Sequence, residues 1–411
     1  MTRPIRLPDA SGALREYTPR AEPAAAVVRP GAGDVGVPPP ASRTVLAAAH
    51  VVADPLADPH SGSAALDWDA TLAFRRHLWS HGLGVAEAMD TAQRGMGLDW
   101  PVAAELIERS AAEARASGGR IACGVSTDQL PATGQLPATG QLSGTGKLSG
   151  GPQLDRVRGA YEEQLAVVEK AGAQAVIMAS RALAATARGP EDYADLYGQL
   201  LRQAAEPVVL HWLGPMFDPA LQGYWGSDDL DAASETFLQI IEEHPGKVDG
   251  VKVSLLDAQR EVALRRRLPD GVRCYTGDDF NYPGLIAGDE HGFSHALLGI
   301  FDPLAPLAAE AVGLLDEGDT EGFRAALDPT VALSRHLFEA PTRFYKTGVV
   351  LLAWLAGHQD HFVMPGGLQS ARSLPHLARA YELADGLGLF PDPGLAQARM
   401  QQLLAVHGVH Q

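Results

Sequence analysis

The chain has 411 residues, of which 46% are hydrophobic and 20% charged, a globular balance with enough length for one large α/β domain plus additions. Fifty acidic against 33 basic residues give a formal net charge of -17, which leaves no cationic surplus to neutralise phosphates and argues against nucleic-acid and anionic-membrane partners. Cys123 and Cys274 form no CxxC pair, no apolar run reaches membrane-spanning length, and Met1-Thr2-Arg3-Pro4 lacks the apolar core of a secretory signal, so the expected setting is the cytoplasm without disulfides.

Residues 1–43 are rich in proline, alanine and glycine and sustain no period of 2 or 3.6; they read as an irregular arm lying on the domain or on an oligomeric neighbour. Val45–Val52 is the first buried strand. Asp67 caps a helix through Leu72, Arg75, Leu78 and Trp79, stopped by Gly82 and Gly84. A second strand near Val85–Met89 runs into Asp90-Thr91-Ala92-Gln93-Arg94-Gly95. Trp100-Pro101 opens the next helix, and Arg120–Val125 is the third strand.

Gln129-Leu130-Pro131-Ala132-Thr133-Gly134 recurs at 135–140 and in drifted form at 141–146. A six-residue period with proline and glycine suits neither a long helix nor a packed strand, so 127–152 is expected to be a surface insertion; too few copies are present to build a solenoid core.

The alternation then resumes. Helices near 153–171, 190–205, 229–243, 257–267 and 282–288 alternate with strands at Ala175–Ala179, Pro207–Trp212, Gly246–Ser254, Val272–Asp279 and Gly292–Ala296. Eight βα repeats whose strands are apolar on both faces predict an α/β fold, a closed (β/α)8 TIM barrel over 44–302. Residues 303–411 carry helical patterns only (303–316, 319–339, 342–357, 373–385, 393–407) and are expected to form a C-terminal all-helical extension.

The active site of such a barrel lies at the C-terminal ends of its strands. That rule selects His50, Asp90, Arg94, His211, Trp212, Lys252, Asp278, Asp279 and His295. Lys252 leads the set. A buried ammonium either finds a carboxylate or loses its proton and becomes a nucleophilic amine that condenses with a carbonyl. The others have plainer readings beside the chemical one. His211 and His295 suit hydrogen-bonded core histidines, Asp278-Asp279 a helix cap, Arg94 an ion pair and Trp212 a pocket wall. No Walker-type phosphate loop, HExxH or GxSxG motif occurs.

Val248-Asp249-Gly250-Val251-Lys252, then Tyr275-Thr276-Gly277-Asp278-Asp279, then Gly292-Phe293-Ser294 resembles the dihydrodipicolinate synthase / N-acetylneuraminate lyase superfamily. Ala171–Val176 and Pro207–Leu210 are similar to that family's fourth and fifth strands, and Phe344-Tyr345-Lys346 stands where it often has a lysine before an apolar helix. The resemblance spans about 44–390. It is closest to a divergent branch of unknown function in which His-Trp-Leu-Gly and Gly-Tyr-Trp-Gly recur, here 211–214 and 223–226. It implies a Schiff-base lysine at Lys252, no cofactor and a homodimer or homotetramer. The family's Gly-Thr-Thr-Gly-Glu turn, which holds a pyruvate-type carboxylate, is here Met89-Asp90-Thr91-Ala92-Gln93-Arg94-Gly95, and its catalytic tyrosine aligns with His211.

The expected activity is therefore a lysine-dependent lyase or aldolase acting on a small hydroxylated keto acid or keto-sugar rather than pyruvate. Lys252 forms an iminium, His211 moves protons, and Asp90, Thr91, Arg94, Trp212, Asp278, Asp279, His295 and His50 bind substrate. Two rivals stay open. One is a metal-dependent sugar lyase or isomerase using His50, Glu87, Asp90, His211, Asp278 and His295. The other is a non-catalytic ligand-binding barrel.

Overall fold

The computed structural model describes residues 4–28, 37–57, 63–130 and 151–410. Strands β1 (Ile5–Pro8) and β2 (Leu14–Tyr17) pair antiparallel, and eight parallel strands close a barrel. The barrel strands are β3 (Val45–Ala48), β4 (Gly84–Glu87), β5 (Ile121–Val125), β6 (Gln174–Ile177), β7 (Val208–Leu213), β8 (Val248–Ser254), β9 (Arg273–Thr276) and β10 (His295–Leu298). They follow chain order round the ring, and β10 closes on β3 through Ala296 opposite Val45 and Leu297 opposite Leu46.

Each strand is buried on both faces because the inner face fills the barrel and the outer face meets helices. Leu46, Ala48, Ala86, Met89, Ala122, Val176, Met178, Val209, Tyr275 and Leu297 pack the interior. The outer core includes Trp212, Trp225 and Phe237, with ring centroids 5.4 Å apart for Trp212–Phe237 and 4.6 Å for Trp225–Phe237. Gly250 is required by close packing, since a Cβ there would lie 2.6 Å from the Tyr275 ring.

Local chemistry sets the helix starts. The Asp67 side chain accepts from Ala70 N–H at the head of Trp68–Ser80, and Asp99 accepts from Val102 N–H at the head of Trp100–Ser117. Beyond β10 the described chain is helical, with Ala305–Asp316, Thr320–Leu327, Val331–Leu337, Tyr345–Leu355, Leu374–Gly386 and Pro393–Val406 as its main elements. No helix among the described residues is long and apolar enough to cross a membrane.

The N-terminal arm, expected to be irregular, carries the β1–β2 hairpin. Its strands are only four residues long, too short for a period of 2 to register. It lies on the C-terminal helices of its own chain: Tyr17 Oη donates to Asp385 at 2.7 Å, and Arg15 pairs with Glu382. Most of the 127–152 insertion falls outside the described residues.

One buried carboxyl on the outer wall makes stability depend on pH. Glu261 accepts from Thr276 Oγ1 at 2.9 Å and from Ser294 Oγ at 2.7 Å, and burial pushes it up from 4.5 to about 8, against those two bonds. Below 4.5 both folded and unfolded chains hold this proton; between 4.5 and about 8 only the folded chain does. The stability this group contributes therefore falls as pH rises through that window. Glu261→Gln is expected to flatten the decline, seen as a smaller drop in the urea midpoint between about pH 5 and about pH 8.

Candidate active site

Lys252 is the fifth residue of β8, and the register of that strand decides what surrounds it. A shift between Val208 and Val209 leaves Asp249 without a partner on β7, so that His211 falls opposite Lys252. On the other side Lys252 pairs with Tyr275. Alternation along β8 then sends Gly250, Lys252 and Ser254 to the barrel interior. Lys252 is 8% exposed and makes no hydrogen bond or ion pair with the described residues. Burial lowers its pKa, and the negative charges of Asp90 and Asp279 oppose that shift without cancelling it. Gly277 keeps the space for its stem, since a Cβ there would come within 2.9 Å of Lys252 Cε and 2.1 Å of Ser254 Oγ.

Beside the amine lies a cavity of about 20 Å³, walled by Asp90, Thr91, Ser254, Asp279, Phe338 and Tyr345, among others. That volume holds about one water. A second cavity of about 160 Å³ shares Asp90 and Leu213 with it and is lined further by Arg94, Ser126, Thr127, Asp128, Arg181 and Asp218. Its two guanidinium groups are both neutralised in place: Arg94 donates to Asp128 (Nε to Oδ2, 2.9 Å) and Arg181 pairs with Asp218.

The structure brings together Lys252, Asp90, Thr91 and Asp279 from the predicted set. Asp279 accepts from Ile300 N–H at 2.9 Å, and burial pushes its carboxyl to about 7, against the pull of that bond and of Lys252. Arg94 lines the larger cavity, but its guanidinium is already engaged by Asp128, Gln164 and the carbonyls of Ala88 and Gly124. His211 does not line the cavity. Its Nε2 is 3.1 Å from Ser254 Oγ, its Nδ1 is buried without a partner, and burial followed by the Lys252 charge lowers its pKa well below the usual histidine range.

The remaining candidates stand elsewhere. Trp212 follows His211 and so faces outward, onto Trp225 and Phe237. Asp278 is the local cap, accepting from Phe280 N–H at 2.8 Å and Asn281 N–H at 3.1 Å. His295 begins β10 instead of ending it, so it lies at the opposite mouth of the barrel, where its Nδ1 accepts from Thr44 N–H at 2.8 Å. His50 passes the end of β3 and turns to Asp302, with Nδ1 2.8 Å from Oδ2. Glu87 is bound to Arg75. The six ligands of the metal-dependent rival are thus spread over separate environments, and no three of them converge.

Two wall residues, Phe338 and Tyr345, come from the helical extension. Their rings stack at 4.2 Å, and Tyr345 Oη lies 2.7 Å from Thr91 Oγ1. Gly299 admits both rings, since a Cβ there would be 3.1 Å from each. Lys346, also missed, is 2% exposed and is lowered by burial to about 8, against the pull of Asp90; its Nζ lies 3.5 Å from Met96 Sδ. Only the resemblance pointed to this segment, because no spacing links residues so far apart in sequence.

Solved structures share this fold. Dihydrodipicolinate synthase of Aquifex aeolicus matches with a TM-score of 0.62 at 12% identity, over 85% of this chain and 99% of that one. The synthase of Thermotoga maritima gives 0.59 at 14% identity, over 84% and 99%. YagE of Escherichia coli K12, a member of that family solved with pyruvate, gives 0.60 at 13% identity, over 84% and 99%. The chain shares the fold of these dihydrodipicolinate synthases. The chain belongs to the family described as protein of unknown function DUF993, whose model matches residues 5–409. The sequence matches no curated protein.

Proposed function

We propose that this protein is a class I, lysine-dependent lyase or aldolase acting on a small hydroxylated keto acid or keto-sugar. The observation that carries the reading is the buried, unpaired Lys252 amine beside a cavity walled by hydroxyl and carboxyl groups. The amine lone pair adds to the substrate carbonyl carbon, and the carbinolamine loses water to give an iminium. As the substrate β-hydroxyl gives up its proton and its carbon becomes the carbonyl of a released aldehyde, the Cα–Cβ bond breaks and its electron pair moves into the iminium, leaving an enamine. Protonation of that enamine and hydrolysis return the free amine. The second cavity suits hydroxyl groups: its guanidinium–carboxylate pairs offer donors and acceptors side by side, with their charges already balanced.

The proton carrier in this reading is Tyr345, relayed through Thr91, rather than His211. Tyr345 lines the cavity, whereas His211 does not and reaches it only through Ser254. Tyr345→Phe is expected to lower turnover about 10²- to 10⁴-fold while leaving imine formation at Lys252 intact. A rate close to wild type would remove Tyr345 from the mechanism. The overall test is trapping: borohydride with a panel of keto acids and keto-sugars should add substrate mass at Lys252, read by peptide mass spectrometry.

A further inference from the structure

Away from the barrel mouth, the helical extension gathers three metal-ligating side chains that the proposed reaction does not use. His336 lies near the end of Val331–Leu337, Glu339 just past it, and His376 in the first turn of Leu374–Gly386. Their ligand atoms all lie within 4.8 Å of one another. We propose that His336, Glu339 and His376 form a divalent transition-metal site of zinc type, which clamps the segment after Val331–Leu337 to Leu374–Gly386.

The geometry supports a shared ion. Glu339 Oε1 is 2.8 Å from His376 Nδ1, and Glu339 Oε2 is 3.7 Å from His336 Nδ1. Around a tetrahedral zinc with bonds of about 2.0–2.1 Å, ligand atoms stand ~3.3 Å apart, between those two values. The imidazoles stack at 4.1 Å and 24°, so their ligating edges run side by side.

Hydrogen bonds orient the ligand atoms. His336 Nε2 lies 2.9 Å from the His376 carbonyl, which only accepts; the ring proton is therefore on Nε2, and the Nδ1 lone pair faces Glu339. His376 Nδ1 faces the Glu339 carboxylate at 2.8 Å, so its ring proton lies between the two and is the one an arriving ion displaces. The Glu339 side chain is 50% exposed, which leaves an entry path and a fourth position for water. The Arg372 guanidinium lies nearby and opposes a cation, but it is spent on carbonyls of the same loop, at 2.6 Å to Glu339 and 3.2 Å to Pro341. Those bonds hold the loop in shape for binding. Two nitrogens and one carboxylate favour zinc, cobalt or nickel over magnesium or calcium.

The site adjoins Phe338, which walls the Lys252 cavity, yet it stands or falls independently of the imine reading. The test is titration of the chelator-stripped protein with Co²⁺, followed by its visible absorption. One Co²⁺ per chain is expected, displaced by Zn²⁺, and Zn²⁺ should raise the unfolding temperature. Glu339→Gln, at a half-exposed position that should not disturb folding, is expected to weaken binding at least about 10-fold, and His376→Gln likewise. Wild-type protein that binds no Co²⁺ would overturn the site. So would equal affinity in wild type and Glu339→Gln, which would place the ion on other histidines.

Discussion

Lys252→Ala is expected to abolish borohydride trapping and to lower turnover by about 10⁴-fold or more, ~5.5 kcal/mol of lost barrier reduction. The size follows from the role: no other group that lines the cavity with Lys252 is an amine, so nothing there replaces the covalent step. Lys252→Arg separates charge from nucleophilicity, because a guanidinium keeps the cation and forms no imine. Stability should not fall, since removing a buried amine without an ion pair also removes its desolvation cost. Wild-type trapping should fade toward acid pH as the amine takes up its proton, and it should persist to lower pH than for an exposed lysine, because burial lowers the pKa. Normal turnover in a folded Lys252→Ala protein would end the imine reading.

Arg75→Met is expected to destabilise the fold by about 3–5 kcal/mol, because it leaves the Glu87 carboxylate buried and unpaired. Arg75 and Glu87 are wholly buried and joined twice, Nε to Oε2 at 2.8 Å and Nη2 to Oε1 at 2.9 Å. Arg75 also donates to the carbonyls of His50 and Thr71. Glu87 Oε1 accepts in addition from Ala88 N–H at 2.8 Å, at a residue held at φ 52°. The pair thus fixes the turn that delivers Asp90 and Thr91 to the cavity. Arg75→Met with Glu87→Leu should recover much of the loss, since apolar groups of similar size replace a buried pair at little cost. Urea unfolding of both single variants and the double variant measures this, and equal losses in single and double variants would mean that the pair is not the coupling element.

The order of strands and helices was legible because apolar runs alternate with capped helical patterns such as those opened by Asp67 and Asp99. Lys252, Asp90 and Asp279 were legible as site candidates because strand ends in a barrel share one mouth, and Thr91 through the resemblance of its turn. What failed was parity and phase. In a strand apolar on both faces, nothing in the sequence tells which of His211 and Trp212 points inward; the β7–β8 register decides it. His295 was misplaced because the strand was begun at Gly292, and a shift of a few residues moves a side chain from one mouth to the other. Tyr345 and Phe338 were invisible as site residues because tertiary packing alone brings the extension to the cavity.

On the proposed mechanism, that last contact fixes when the protein becomes competent. All eight barrel strands are complete by Leu298, yet the cavity needs Phe338 and Tyr345 to close it. A ribosome-bound chain with its ring of strands already out would still hold a reactive amine in an open bowl, without the phenol that is to hand over protons. Selection on the proposed catalytic step would therefore reach past the barrel, and grafting the barrel alone onto another protein would transplant the proposed nucleophile without its partner.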